Sequence, residues 1–190
     1  DPSKPIKVTT IVENDLIGAN DNDILQKVKS QSPVFSQHDY VIERVDRRSP
    51  HGGYIEFLGA DEEGDGTEPG NETGKPLIRL YSDAPTDSIE LEKAIYGDML
   101  HQLSDADWYW RDLRDRYMES RPENIVAMDE EAYASSGDER PFDQWMDVSR
   151  ADAHIRAGLL GYENWKDVNR SPEQEEILAE MKMYISTGER

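Results

Sequence analysis

Apolar residues recur at helical spacing between Thr86 and Leu103, and this pattern predicts the helix around which the rest of the chain is organised. The recurring positions are Leu91, Ala94, Ile95, Met99, Leu100 and Leu103. Such spacing gives a helix one broad apolar face, which packs against a core. Asp87 can act as the N-cap, with Glu90 three residues later, in a capping-box arrangement. We therefore expect an amphipathic helix beginning just after Asp87.

Short runs rich in β-branched and alternating residues come before this helix and predict strands. They are Ile6–Val12, Tyr40–Val45, Tyr54–Leu58 and Leu77–Tyr81. A short helix over Ile24, Leu25 and Val28 is expected between the first two, and Ser32-Pro33 ends it. Because the turn residues SPHGG separate the second and third strands, we expect those two strands to pair as an antiparallel hairpin.

The pattern beyond Leu103 is helical almost throughout. A helix capped by Asp105 or Asp107 is predicted for WYWRDLRDRYMES, with Trp108 among its packing residues. A second amphipathic segment runs from Phe142 to Leu160, and Ser171 before Pro172 starts a third helix. The run MDEEAYASSGDERP has few apolar residues and predicts an exposed connection.

Together these elements predict one α+β domain over residues 1–190. Its β-rich part, 1–85, contains a small antiparallel or mixed sheet packed by helices, and its part 86–190 is helical. The absence of cysteine excludes disulfides, thiolate zinc sites and thiol nucleophiles. No run of about 18 apolar residues occurs, and the segment DPSKPIKVTT lacks the features of a signal peptide. We expect a soluble protein that neither spans nor binds a membrane.

The charge balance limits the classes of partner that the chain is expected to bind. Asp and Glu number 41 against 21 Lys and Arg, for a formal net charge of -20. This balance argues against direct nucleic-acid binding, because such binding uses Lys and Arg to release counterions. It suits a protein partner with a basic surface, bound cations, a salty medium or plain solubility. Imitation of nucleic acid would require carboxylates in a phosphate-like array.

Asp98 and His101 stand three residues apart, on one side of the predicted helix. They could ligate a metal or exchange a proton as catalytic groups, or they could hold each other as a structural pair. Zinc needs three or four protein ligands. Asp152 and His154, in RADAHIR, would supply the others if the second amphipathic segment packs on the first helix. A buried histidine bonded to a carboxylate is the more frequent arrangement.

The acidic run from Gly59 to Pro76 has the spacing of a calcium loop of the EF-hand kind. The candidate ligands are Asp61, Glu63, Asp65 and Glu72. Glu63 stands where Asp or Asn is usual, and the flanks predict strands instead of the helices that frame such loops. A solvated loop between two strands is therefore the first interpretation, and calcium the alternative.

The run LEKAIYGDMLHQL resembles the active-site helix of zincin metallopeptidases, in which H-E-x-x-H lies in an apolar helix preceded by an edge strand. Gly97 occupies the place of the first histidine, Asp98 that of the glutamate and His101 that of the second histidine. The strand LIRLY before the helix matches the zincin order. The resemblance implies a zincin-like fold, and Gly97 implies that the peptidase site has been lost.

The combination of YIEF, an acidic Gly/Pro-rich loop, a GKP strand and GDMLH is also similar to uncharacterised proteins encoded by bacteriophages and prophages. This second resemblance implies a location in a virion or in the host cytoplasm. The leading hypothesis is a non-catalytic structural or protein-interaction module that needs no cofactor. Two alternatives stay open: a metal-dependent hydrolase using Asp98 and His101 with zinc, and an acidic inhibitor that imitates nucleic acid. Oligomeric state and partner identity are open as well.

Overall fold

The structure is a computed structural model that describes residues 9–12, 21–60, 69–86, 88–146, 150–161 and 169–190. The chain forms two compact units. The first comprises residues 1–105 with Ile185–Gly188, and the second comprises Ala106–Tyr184 with the last two residues. No helix within the described ranges is long and apolar enough to cross a membrane.

A four-stranded mixed sheet forms the centre of the first unit. Its strands are β1 (Thr9–Val12), β2 (Val41–Arg44), β3 (Ile55–Leu58) and β4 (Leu77–Leu80), in the spatial order β1-β2-β4-β3. β1 and β4 both pair with β2 in parallel, and β3 pairs with β4 antiparallel. Helix α1 (Asp21–Ser30) and a 3-10 turn (Phe35–Gln37) connect β1 to β2. These elements confirm the α+β class and the mixed sheet.

The predicted hairpin between β2 and β3 is wrong, because β4 lies between them. The different burial of β3 and β4 explains the order of the strands. Leu77, Ile78 and Leu80 of β4 are almost fully buried, whereas β3 is half-buried along most of its length. A strand that is apolar on both faces is most stable inside a sheet, and a less apolar strand is tolerated at the edge. The turn residues between β2 and β3 therefore change the direction of the chain without pairing the two strands.

Helix α2 (Ser88–Ala106) packs on one face of this sheet and confirms the helix predicted there. The register places Ile42, Ile78 and Phe57 side by side on that face. The Phe57 ring lies 5.6 Å from the ring of His101 on α2. As expected, Leu91, Ile95, Met99, Leu100 and Leu103 are buried. The N-cap predicted at Asp87 lies outside the described residues.

The second unit is helical in the ranges that the structure describes. Its elements are α3 (Trp108–Glu119), α4 (Glu123–Ser136), α5 (Phe142–Trp145), α6 (Ala151–Leu160) and the greater part of α7 (Pro172–Thr187). Asp107 caps α3 by accepting hydrogen bonds from the backbone N–H groups of Tyr109 and Trp110. Ser171 and Gln174 form a reciprocal capping box at the start of α7.

Two expectations for this unit are wrong. The segment expected as an exposed connection is mostly α4, a helix rich in Ala and Glu that buries few side chains, among them Ile125 and Asp129. The helical spacing of apolar residues is therefore too weak to predict α4. Trp108 is 58% exposed instead of packed, and Trp110 takes the buried position in α3.

Candidate functional site

Asp98 and His101 both lie in the second half of α2, in the first unit. Asp98 is buried and His101 is half-buried. The His101 ring packs edge-on against Phe57 of β3. Its Nε2 atom lies 3.9 Å from a carboxylate oxygen of Asp105, one helical turn further on. The imidazole is thus held between an aromatic ring and a carboxylate on its own helix.

Two tyrosines lie within electrostatic range of Asp98. Burial raises the pKa of Tyr40 well above its usual range, and the charge of Asp98 raises it further. Burial also raises the pKa of Tyr54, with additional effects from Glu90 and then Asp98. Both phenols therefore stay protonated at neutral pH, where they can donate hydrogen bonds but cannot accept protons as bases.

The strand next to α2 in sequence differs from what the zincin resemblance implies. β4 directly precedes α2 and is an internal strand, whereas the edge strand on that side is β3. Gly97, in the place of the first zincin histidine, is buried and offers no ligand atom. The described residues therefore show a helix on a mixed sheet, and Gly97 supplies no first metal ligand.

Asp152 and His154 lie in α6 of the second unit, and both are buried. His154 Nε2 is 2.7 Å from Oδ1 of Asp129, whose side chain is fully buried in α4. Arg121 Nη1 lies 2.5 Å from the other oxygen, and Arg150 Nε lies 2.8 Å from Oδ1. We call Asp129, Arg121, Arg150 and His154 the Asp129 cluster.

The electrostatics of the Asp129 cluster favour a structural role. Burial alone would raise the pKa of Asp129, but the hydrogen bonds from His154, Arg150 and Arg121 outweigh it and hold this pKa below 3.8. The carboxylate is therefore ionised and neutralised by two guanidinium groups. A metal ion at His154 would stand close to these positive charges, and so the arrangement suits a buried ion network better than a metal centre.

The four residues of the predicted zinc site fall into both units, Asp98 and His101 in the first and Asp152 and His154 in the second. Among the residues that the structure describes, no group of three or more His, Asp or Glu side chains is arranged to hold a metal ion. For the calcium loop, Asp61, Glu63 and Asp65 lie outside the described ranges, and Glu72 is exposed. Both metal sites therefore remain predictions.

Sequence reasoning missed an aromatic patch in the second unit, formed by exposed Trp108, half-buried Tyr109 and buried Tyr184. The ring centroids of Trp108 and Tyr109 are 5.8 Å apart, and those of Tyr109 and Tyr184 are 4.8 Å apart. The Tyr184 hydroxyl donates to Asp107, and burial followed by this bond raises the pKa of Tyr184 to about 12. The WYW run was the available signal, but it did not reveal which tryptophan is exposed.

No protein-family model, curated protein or solved structure matches this chain. The resemblances to zincins and to phage proteins therefore stay predictions.

Proposed function

We propose that this chain is a non-catalytic, zincin-like module of a phage or mobile element that binds a protein partner with a basic surface. The observation that carries this proposal is Trp108, which is 58% exposed in a chain of net charge -20. Exposed tryptophan is uncommon on surfaces without a partner and is enriched among the residues that dominate interface energies. Trp108, the exposed member of the aromatic patch, would form the apolar centre of that interface.

Charge sets the chemistry of the partner. Asp112 and Asp115 of α3 have side chains that are 57% and 59% exposed, and each lies beside an arginine of the same helix. The support for a basic partner is therefore the net charge of -20 over the whole chain, which favours a partner with Lys and Arg around a hydrophobic contact. Such complementarity speeds association and weakens as salt is added, because exposed charges are screened.

The non-catalytic part of the proposal rests on how the two candidate histidines are held. His154 contacts a carboxylate that two arginines share, and His101 lies between Phe57 and Asp105. Each imidazole thus has a structural contact of its own, and Gly97 adds no ligand. The phage setting rests on the sequence resemblance alone.

Defined peptides test the interface. An amphipathic Lys/Leu peptide should bind the protein more tightly than polylysine of the same charge, because only the former supplies an apolar contact. Trp108→Ala should weaken the amphipathic peptide about tenfold or more, as expected for an interface anchor. Ile89→Ala is the matched control, since Ile89 is 63% exposed in the first unit and should leave affinity unchanged. Equal affinity of wild type and Trp108→Ala would refute the interface.

Metal analysis tests the absence of catalysis. The purified protein should fold without stoichiometric zinc and should not cleave a casein substrate above background. If folded wild type holds one zinc per chain and folded His101→Gln loses it, the hydrolase alternative replaces this proposal. Circular dichroism of both proteins establishes that they are folded, and the peptide titration remains an independent readout.

A further inference from the structure

A cavity of about 490 Å³ opens in the first unit where β2 and β4 begin and β3 ends. Its wall includes His38 and Asp39 before β2, Lys75 before β4 and Gln102 on α2. Its volume lies in the range of about 300–1,000 Å³ typical of small-molecule sites. Neither the proposed interface around Trp108 nor the His101 contacts use this cavity.

Gln102 is the first sign that the cavity has an occupant. The residue is 2% exposed, and its Oε1 atom has no hydrogen-bond partner among the described residues. Buried polar atoms are almost always bonded to protein, water or ligand, because leaving water without a replacement bond is unfavourable. The amide lies at the cavity wall, where a ligand that carries a hydroxyl could complete its bonding.

The charge around the cavity is the second sign. Lys75 lies on the wall, and Lys29 lies directly behind it, with its Nζ donating to the backbone oxygen of His38 at 2.6 Å. Burial lowers the pKa of Lys29 to about 8; Asp39 acts against this shift and Lys75 adds to it. Two lysines are therefore within electrostatic range of each other in a chain that is otherwise strongly acidic.

Asp39 balances these lysines only loosely. Its carboxylate lies 3.9 Å from Lys75 Nζ, and the two side chains are 61% and 48% exposed. Exposed pairs of this kind contribute little and exchange readily with other ions. An anion in the cavity could therefore displace Asp39 from Lys75 and also stabilise the protonated form of Lys29.

We propose that this cavity binds a small organic oxyanion, a carboxylate or phosphate ester, that also carries a hydroxyl group. Lys75 contacts the anionic group, and the Gln102 side-chain amide bonds the hydroxyl. Lys29 adds long-range attraction from behind the wall. The hydroxyl distinguishes this ligand from a simple anion, because it is the part that satisfies the buried amide.

Paired probes test this proposal by NMR titration at constant ionic strength. Glycolate should bind more tightly than acetate, and glycerol 3-phosphate more tightly than inorganic phosphate, each by about threefold to tenfold for one added hydrogen bond. The tighter of the two hydroxylated probes identifies a carboxylate or a phosphate as the natural group. Saturable shifts should centre on residues 38, 39, 75 and 102. Equal affinity within each pair, or no saturable shift at these residues, would overturn the proposal.

Single substitutions test the Lys75 contact and the Gln102 contact separately. Lys75→Met should weaken every anionic probe about tenfold, whereas Lys93→Met, at an exposed lysine of α2, should not. Asp39→Asn should tighten binding, because it removes the competing carboxylate. Gln102→Leu should leave the melting temperature of the ligand-free protein unchanged or higher and should abolish the preference for glycolate over acetate. A lower melting temperature with the preference intact would contradict the role of Gln102.

Discussion

The two units each contain a histidine next to a carboxylate, and the two pairs differ in every respect that determines their strength. His101 and Asp105 are four residues apart on one helix, 3.9 Å from each other, with side chains 28% and 51% exposed. His154 and Asp129 are 25 residues apart in sequence, 2.7 Å from each other, with side chains 2% and 0% exposed. Water screens the first pair and leaves the second almost unscreened.

This difference shows which pair holds the structure together. Asp129 joins α4 to Arg121 before it and to Arg150 and His154 around the start of α6. Buried ionised groups are stable only when hydrogen bonds and opposite charges satisfy them. Removing one residue of the Asp129 cluster therefore leaves the remaining charges buried without full compensation, which destabilises the fold. The His101 pair has no such dependence, because water can replace either partner.

The largest expected effect follows from removing the central charge. Asp129→Asn replaces one carboxylate oxygen by an NH₂ group that faces an arginine donor, and it leaves two guanidinium groups without their counter-ion. We expect the free energy of unfolding to fall by about 3–5 kcal/mol. Urea unfolding followed by tryptophan fluorescence measures it.

Asp115→Asn is the matched control for that experiment. Asp115 is an acid of the same unit whose side chain is 59% exposed beside Arg114. Its replacement should change the free energy of unfolding by less than about 0.5 kcal/mol. Similar losses for the two variants would show that the Asp129 cluster does not stabilise the fold.

The second prediction compares the histidines directly. His154→Gln should lower the free energy of unfolding by about 1.5–3 kcal/mol, because it disturbs a buried hydrogen bond to a charged group. His101→Gln should cost less than about 1 kcal/mol, since its ion pair is long and partly exposed. Circular dichroism in urea gives both values. If His101→Gln were the more damaging change, the Asp98–His101 region would be the better-ordered site.

At acidic pH the Asp129 cluster should contribute less to the free energy of unfolding. The pKa of Asp129 is lower in the folded chain than its usual 3.8. A lowered folded-state pKa stabilises the fold fully above the unfolded-state value, and this contribution is lost as the pH falls through the folded-state value. The difference in unfolding free energy between wild type and Asp129→Asn should therefore shrink as the pH falls below 3.8. A difference that grows below 3.8 would contradict the assignment.

Apolar periodicity predicted α2 well, because one continuous face of the helix meets the core. It could not predict Asp129, whose importance depends on Arg121, Arg150 and His154, three positions that sequence spacing does not connect. α4 was missed for the same reason, since one of the side chains it buries is charged. The sequence thus indicated His154 beside a carboxylate as one outcome, but not which carboxylate.

Local sequence patterns could not predict the order of the strands in the sheet either. Turn residues after β2 indicated a hairpin with β3, yet pairing depends on which strand is apolar on both faces, and that strand, β4, comes later in the chain. The cavity at Lys75 and Gln102 follows from this order, because it lies where β2 and β4 start side by side. A local signal could suggest neither the cavity nor the lysine pair beside it.

The smallest expected effect concerns the exposed pair. Asp105→Asn removes the carboxylate 3.9 Å from His101 Nε2, where both groups are partly in water. We expect a loss of less than about 0.5 kcal/mol in the free energy of unfolding, and a decrease in the His101 pKa measured by NMR, because a nearby negative charge favours the imidazolium form. The NMR signals of His51, an exposed histidine in the turn before β3, should not change. An unchanged His101 pKa would show that the Asp105 carboxylate does not act on the ring, and the two histidines would then no longer be comparable as ion pairs.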